Sequence, residues 1–139
     1  MNWHYQGTEI TNIVGDYTHF IYLITNKVNG KIYVGQKGFF FNTKKHFGKK
    51  KLAEVLDKRL KTYERVVKES DWKKYYGSCA TLKEDVKTLG KESFTRQILF
   101  FCHKHDVFYH EARFQFNYNV LKEESYNDNI LGRFYRGRV

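Results

Sequence analysis

The sequence predicts a single small α+β domain, with a central three-stranded, mainly antiparallel sheet flanked by helices. Three observations carry that prediction. Residues 20–37 read as two apolar strands joined at Asn29-Gly30, a strong hairpin signal. Residues 94–102 alternate as a third strand. Apolar residues recur at helical spacing over 52–67, 82–89 and about 105–120.

Length and composition bound the reading. The 139 residues suffice for one hydrophobic core and not for two, and the absence of proline marks no linker. Aromatic residues make up 18% of the chain, so the core must be built largely from Phe and Tyr. No run approaches the roughly 18 apolar residues that cross a bilayer. The start, Met-Asn-Trp-His-Tyr-Gln, lacks the basic and apolar regions of a signal peptide. Cys79 and Cys102 have no metal-type spacing, and reduced thiols in a cytoplasm are expected. Lys and Arg number 25 against 15 acids, a net charge of +10. That excess implies an anionic partner, nucleic acid before an acidic protein or membrane surface.

In chain order, residues 1–16 have no clear period and read as an arm, with a short strand around 9–14 as its one ordered piece. In the hairpin, a two-residue type I′ turn would set Val28 opposite Lys31, Asn26 opposite Tyr33, Ile24 opposite Gly35 and Tyr22 opposite Lys37. Tyr22, Tyr33, Gly35 and Lys37 then share one face; Ile21, Leu23, Ile32 and Val34 share the other. The first face offers two phenols, a bare backbone and a cation, a place to hold a phosphate. Phe39, Phe40 and Phe41 should dock onto the core.

A basic stretch follows, with Lys44, Lys45, His46, Lys49, Lys50 and Lys51, which reads either as a solvated segment or as a backbone-contacting loop. The helix over 52–67 would pack Leu52, Val55, Leu56, Leu60, Tyr63 and Val67, with Lys58, Arg59, Lys61 and Arg65 on its flanks. Ser70 can cap a short helical turn that Gly77 ends. Within it Trp72, Tyr75 and Tyr76 are either core or, with Lys73 and Lys74, nucleotide contacts. Thr81-Leu82-Lys83-Glu84 has the form of a capping box, and Gly90 closes that helix. The strand over 94–102 would place Phe94, Arg96, Ile98, Phe100 and Cys102 on one face and Gln97, Leu99 and Phe101 on the other. The tail returns through Tyr126-Asn127 and ends basic, with Arg133 and Arg136.

On the last helix Val107, Phe114 and Tyr118 fall within about 40° of one another at 100° per residue, and Glu111 lies within about 60° of all three. A carboxylate in an apolar stripe is costly unless it is ion-paired or holds a cation. Either a buried ion pair or a hard divalent metal satisfies it. His103, His105 and His110 make no convincing metal site.

Phe20-Ile21-Tyr22 and Tyr33-Val34-Gly35 resemble the paired tripeptides of the GIY-YIG nuclease family, with the two tyrosines 11 positions apart. Phe20 and Val34 depart from the name without touching a tyrosine. Residues 82–99 resemble the family's helix, glycine and Phe-x-x-x-Ile-Leu strand; Glu111 matches its glutamate and Asn127 its asparagine. Residues 70–78 bear a looser likeness to stand-alone bacteriophage members. The resemblance runs from about residue 20 to 130 and implies a domain over 17–131 with a basic insertion at about 39–78, between an arm (1–16) and a basic tail (132–139).

It further implies a DNA endonuclease using one Mg²⁺ or Mn²⁺ held by Glu111. Tyr22 would position or deprotonate the water, which requires a phenol well below its usual pKa of about 10. Tyr33 would orient phosphate or water beside it, and Asn127 would hold Glu111 or the tyrosines. The family's arginine has no clear match; Arg59, Arg65, Lys44 or Lys45 would supply the cation, and His46 is an alternative base. Lys37, Lys44, Lys45, Lys49, Lys50, Lys51, Lys73, Lys74, Arg133 and Arg136 are the expected DNA contacts. The partner would be double-stranded DNA, with no membrane and no organic cofactor, and the protein a monomer or homo-dimer in the cytoplasm of a bacterial host, in a homing or competitor-DNA-cutting role. Homing members usually carry a separate DNA-reading domain, for which the chain leaves no room. The alternatives are a nucleic-acid-binding module of the same fold without catalysis, and a basic protein that binds an acidic protein.

Overall fold

The computed structural model describes residues 2–49 and 63–139. The chain divides into two compact units, residues 1–39 with 71–139, and residues 40–70. The first unit is α+β, built on a mixed sheet of strands β1 (Trp3–Tyr5), β2 (Thr8–Ile10), β3 (His19–Asn26), β4 (Ile32–Gly38) and β7 (Phe94–Cys102), in the order β2-β1-β7-β3-β4. Helix α1 (Ala80–Leu89) and α2 (Val107–Asn117) complete its main elements, followed by a small hairpin, β8 (Asn129–Ile130) with β9 (Phe134–Tyr135). The second unit is a two-stranded antiparallel ribbon, β5 (Phe40–His46) with β6 (Tyr63–Glu69).

The sheet has five strands where three were expected, because the N-terminal arm is itself a hairpin. Gln6 and Gly7 both have positive φ, 49° and 84°, as a type I′ turn requires, and β1 pairs parallel to β7. Trp3, fully buried, donates its indole N–H to the Trp72 carbonyl at 2.7 Å and anchors the arm.

The central hairpin turns through four residues, 27–30, not two. Asn26, fully buried, accepts the Val28 N–H on its side-chain oxygen at 2.9 Å, while its carbonyl accepts the Gly30 N–H at 2.7 Å. Only Gly30 of the Asn29-Gly30 pair has positive φ, so a type I′ turn cannot form. Tyr22 therefore faces Gly35, Ile24 faces Tyr33, and Phe20 faces Lys37. The register has slipped by two residues, an even number, so the division of side chains between the two faces is preserved.

Both faces are covered. Phe20, Tyr22, Ile24, Phe94 and Ile98 pack beneath Trp72, Leu82 and Val86, whereas Ile21, Leu23 and Val34 pack against Val107 and Ala112 of α2. The tyrosine face is therefore a core with phenols at its margin rather than an open cradle. Between β3 and β7 the register shifts at Ile21/Tyr22, leaving Leu99 as the extra residue of a bulge. The bulge sends Phe100 and Cys102 to the α2 side and Phe101 to the Trp3 side, against the uninterrupted alternation expected.

Other expectations also change. Phe39 is fully buried, but Phe40 and Phe41 are exposed on the ribbon. The expected helix over 52–67 lies outside the described residues as far as 62; Tyr63, Arg65 and Val67 belong to β6, where a Tyr-x-x-Val-Val run suits a strand. The helical turn at Trp72–Lys74 is preceded by Asp71, not Ser70. Helix α1 begins one residue before Thr81, with Cys79 at the N-cap position and no side-chain cap, so the capping box does not form. Gly90 ends α1 as expected, at φ 90°. No helix among the described residues is long and apolar enough to cross a membrane.

Candidate functional site

The site lies along the outer edge of β4. An edge strand presents every second N–H and C=O away from its neighbour, and these must find partners when buried. Main chain covers the first of them: Tyr126 donates its N–H to the Ile32 carbonyl at 2.8 Å. Side chains cover those of Val34 and the Gln36 N–H. Asn127, buried, accepts the Val34 N–H at 3.0 Å and donates to the Val34 carbonyl at 2.9 Å. Gln115, one turn beyond Glu111 on α2, donates to the same carbonyl at 3.0 Å. Glu111 accepts the backbone N–H of Gln36. Three side chains thus serve two strand positions two residues apart, Asn127 and Gln115 at Val34 and the Glu111 carboxylate at Gln36.

That geometry explains how two polar residues of α2, Glu111 and Gln115, lie against the sheet beside its apolar ones. Val107, Ala112 and Gln115 are the buried residues of α2, while Phe108 and Phe116 are exposed. Val107, Phe114 and Tyr118 pack in the core as expected, Phe108 and Phe116 do not, and Glu111 meets the strand edge. No basic side chain forms an ion pair with Glu111 among the described residues. Burial pushes its carboxyl up to about 7 from 4.5, against the lowering effect of the Gln36 N–H.

Across the edge stand the phenols. Tyr33 and Glu111 line one cleft of about 590 Å³, together with Ala80 and Thr81 at the start of α1, Phe108 and Gln115. The Tyr33 hydroxyl lies 3.3 Å from the Ser78 hydroxyl, and its ring centroid 6.1 Å from that of Tyr22. Tyr22 is 1% exposed and packs against Trp3 and Tyr75, at 5.3 and 5.9 Å between centroids. It also shares a hydrogen bond with Tyr75. Burial raises the Tyr22 phenol well above its usual range, helped by Tyr33, Tyr75 and Glu111. Burial raises Tyr33 as well, opposed by its bond to Ser78. The lowered phenol that base catalysis by Tyr22 requires is therefore not what this environment produces.

Tyr75 joins the site from outside the two tripeptides, and sequence reasoning left it undecided between core and ligand contact. Arg96 explains its placement. Buried at 4% exposure, it donates to the carbonyls of Lys73 and Tyr75 at 3.0 and 2.9 Å and lies over the Trp3 and Tyr76 rings. Lys37 is the cation beside the phenols: it pairs with Asp71 at 2.7 Å and sits 4.1 Å from the Tyr75 ring centroid. Gln36, Gln115 and Ser78 carry no sequence signal of their own, because each is defined by a contact across the fold.

His46, Lys44, Lys45 and Arg65 belong to the ribbon unit, and Arg59, Lys50 and Lys51 lie outside the described residues. Lys49, Lys73, Lys74 and Arg133 are exposed. Arg136 is not a free cation: it donates to the carbonyls of Asn127 and Glu123, both at 3.1 Å, and to Val120 and Ser125, tying the tail to the domain. Asn127 is bonded to the β4 backbone rather than to Glu111 or a tyrosine.

Two paired tyrosines, one glutamate and one asparagine converge on the margin of a small α+β sheet, which is the constellation of a nuclease class. The family model described as "Putative endonuclease segE, GIY-YIG domain" matches residues 3–138, and the chain belongs to the GIY-YIG nuclease family. No curated protein and no solved structure matches it.

Proposed function

We propose that the protein is a metal-dependent DNA endonuclease that hydrolyses phosphodiesters in the cleft between Tyr33 and Glu111. The observation that carries this reading is the Glu111 carboxylate. It is half-buried, unpaired with any cation among the described residues, raised to about 7 and lining the same cleft as Tyr33. A carboxylate in that state fits a hard divalent ion that takes one protein oxygen and otherwise water and phosphate. Among the described residues no cluster of three His, Cys, Asp or Glu offers a fuller ligand set. Glu111 would hold a single Mg²⁺ or Mn²⁺, which when bound supplies Lewis-acid stabilisation of the phosphate and leaving oxygens.

The chain's own residues do the rest. Tyr33, which lines the cleft, orients the attacking water and relays the water's proton, its own hydroxyl proton moving through the Ser78 hydroxyl to solvent as it accepts the new one. Tyr22 acts as a neutral donor behind it, fixed by Tyr75. Burial is the main cause of both raised phenols and the Glu111 charge a lesser one, so neutralising that charge relieves only part of the rise. Lys37 supplies the cation for the phosphate in place of the family's arginine. Its partner Asp71 has a side chain 69% exposed, and such surface pairs are worth only ~0–1 kcal/mol, so a phosphate can displace it. The setting we favour is a stand-alone bacteriophage enzyme, cutting duplex DNA in the host cytoplasm.

The test is cutting of supercoiled plasmid with Mg²⁺ or Mn²⁺. Wild type should nick or linearise it, and Glu111→Ala should abolish cutting while retaining DNA binding. A wild type that shifts DNA on a gel but never cuts with either metal removes the enzyme reading. That result would favour the second one, a binding module without turnover, which the raised Tyr22 phenol supports.

A further inference from the structure

We propose that one face of the β5–β6 ribbon docks in the major groove of duplex DNA and reads it. The inference rests on the DNA-directed reading above, and uses a unit outside the cleft. Cross-strand partners share a face and successive pairs alternate. The pairing therefore puts Asn42 with Val67, Lys44 with Arg65 and His46 with Tyr63 on one face, and Phe41 with Lys68, Thr43 with Val66 and Lys45 with Glu64 on the other.

The two faces differ in how they arrange charge. On the second face Lys45 stands opposite Glu64, a favourable pair, and Thr43 and Val66 are half-buried. On the first, Lys44 and Arg65 stand directly opposite each other, an arrangement that destabilises a sheet unless an anion lies between them. Neither makes an ion pair among the described residues. The one acid on that face, Glu69, is four residues from Arg65, about 13 Å along the strand. Lys44 lies 4.5 Å from the Tyr63 ring centroid, and His46 and Tyr63 have centroids 5.9 Å apart, so the cations are set among rings.

Shape and chemistry select duplex DNA. Two strands about 5 Å apart enter a groove about 12 Å wide with their outward side chains against base edges. Arg65 has the fork that matches guanine O6 and N7, Asn42 the amide that matches adenine, and Val67, 65% exposed, an apolar surface for a thymine methyl. Lys44 is the phosphate contact. Lys45, expected as an equivalent contact, lies on the wrong face.

The experiment measures binding of the full chain to a 30-base-pair duplex without divalent metal. Lys44→Ala with Arg65→Ala should weaken binding at least about 10-fold and flatten the dependence on log[salt] by about one to two. Lys45→Ala with Lys68→Ala removes the same charge from the other face and should cost less than about 3-fold. With wild type, methyl green, which occupies the major groove, should compete, and the minor-groove ligand netropsin should not. Equal losses from the two double variants, competition by netropsin alone, or equal affinity for single-stranded DNA would each overturn the proposal. Metal-dependent cutting scored in parallel separates the two readings. Intact cutting with face-independent binding removes only the ribbon proposal, and face-dependent binding without cutting removes only the nuclease.

Discussion

Gly35 stands directly opposite Tyr22 across the β3–β4 pair, and a Cβ at Gly35 would lie 2.6 Å from the Tyr22 hydroxyl oxygen and 2.8 Å from its ring. The glycine of the second tripeptide is thus the floor under the tyrosine of the first. Its φ is not in the left-handed region, so clearance alone requires it. Tyr22 cannot retreat, because Trp3 and Tyr75 hold its other sides. Gly35→Ala should push the Tyr22 hydroxyl off Tyr75, destabilise the fold by about 1–3 kcal/mol and reduce plasmid cutting about 100-fold. Gly30→Ala is the contrast: it meets nothing within 4 Å but sits at φ 77°, so it should cost only about 1–2 kcal/mol and leave cutting intact. Urea melts and a nicking assay on both variants check this; wild-type activity in Gly35→Ala refutes it.

The second prediction concerns stability against pH. Glu111 has its folded-state pKa raised to about 7 from 4.5, so between those values the folded state holds a proton the unfolded chain has released. Stability therefore falls as pH rises through that window, by an amount we put at about 1–2 kcal/mol once solvent screening is allowed for. Glu111→Gln should abolish that slope and be more stable than wild type at pH 8, though inactive. Millimolar Mg²⁺ should raise the Tm of wild type and not of the variant. Thermal melts from pH 4.5 to 8 decide it; parallel curves for the two proteins would refute it.

What was legible in the sequence depended on how local its cause was. The strand over 94–102 and the close of α1 at Gly90 were readable because alternation and a helix stop are written in adjacent residues. Glu111 was readable because a carboxylate on an apolar stripe breaks a local rule. The hairpin register was not, since Asn26 diverts the turn through bonds to Val28 and to the Tyr126 hydroxyl, 100 residues away. The bulge at Leu99 and the joining of β1 to β7 are likewise long-range. Tyr75 entered the site through Arg96, whose role depends on two carbonyls that no spacing rule connects to it.

Asn127 supports a third prediction. It satisfies both outward-facing backbone groups of Val34, a residue with no solvent exposure, while Gln115 reaches only the carbonyl. Asn127→Ala leaves the Val34 N–H buried and unbonded, which should cost about 2–3 kcal/mol. Asn127→Asp keeps the acceptor but puts a carboxylate against the Val34 carbonyl, and should be most stable at acid pH, where the protonated group can donate. If the Asp variant is equally stable at pH 5 and 8, the assignment of the two bonds is wrong.

The last prediction tests the cation beside the phenols. Lys37 holds the Asp71 carboxyl below its ordinary range, chiefly through their hydrogen bond, and both lie next to Tyr75. Asp71 is exposed, so the pair contributes little to stability; what it contributes is present above the ordinary carboxylate pKa and is lost as pH falls through the lowered one. Lys37→Met should therefore alter stability by less than about 1 kcal/mol yet slow cutting by roughly 100-fold, the scale of losing one charge-stabilising donor. Asp71→Asn releases the same lysine and should leave cutting unchanged or faster. Single-turnover rates on saturated enzyme distinguish this from lost binding. Should Lys37→Met cut as fast as wild type under saturation while Lys44→Ala does not, the phosphate cation lies on the ribbon.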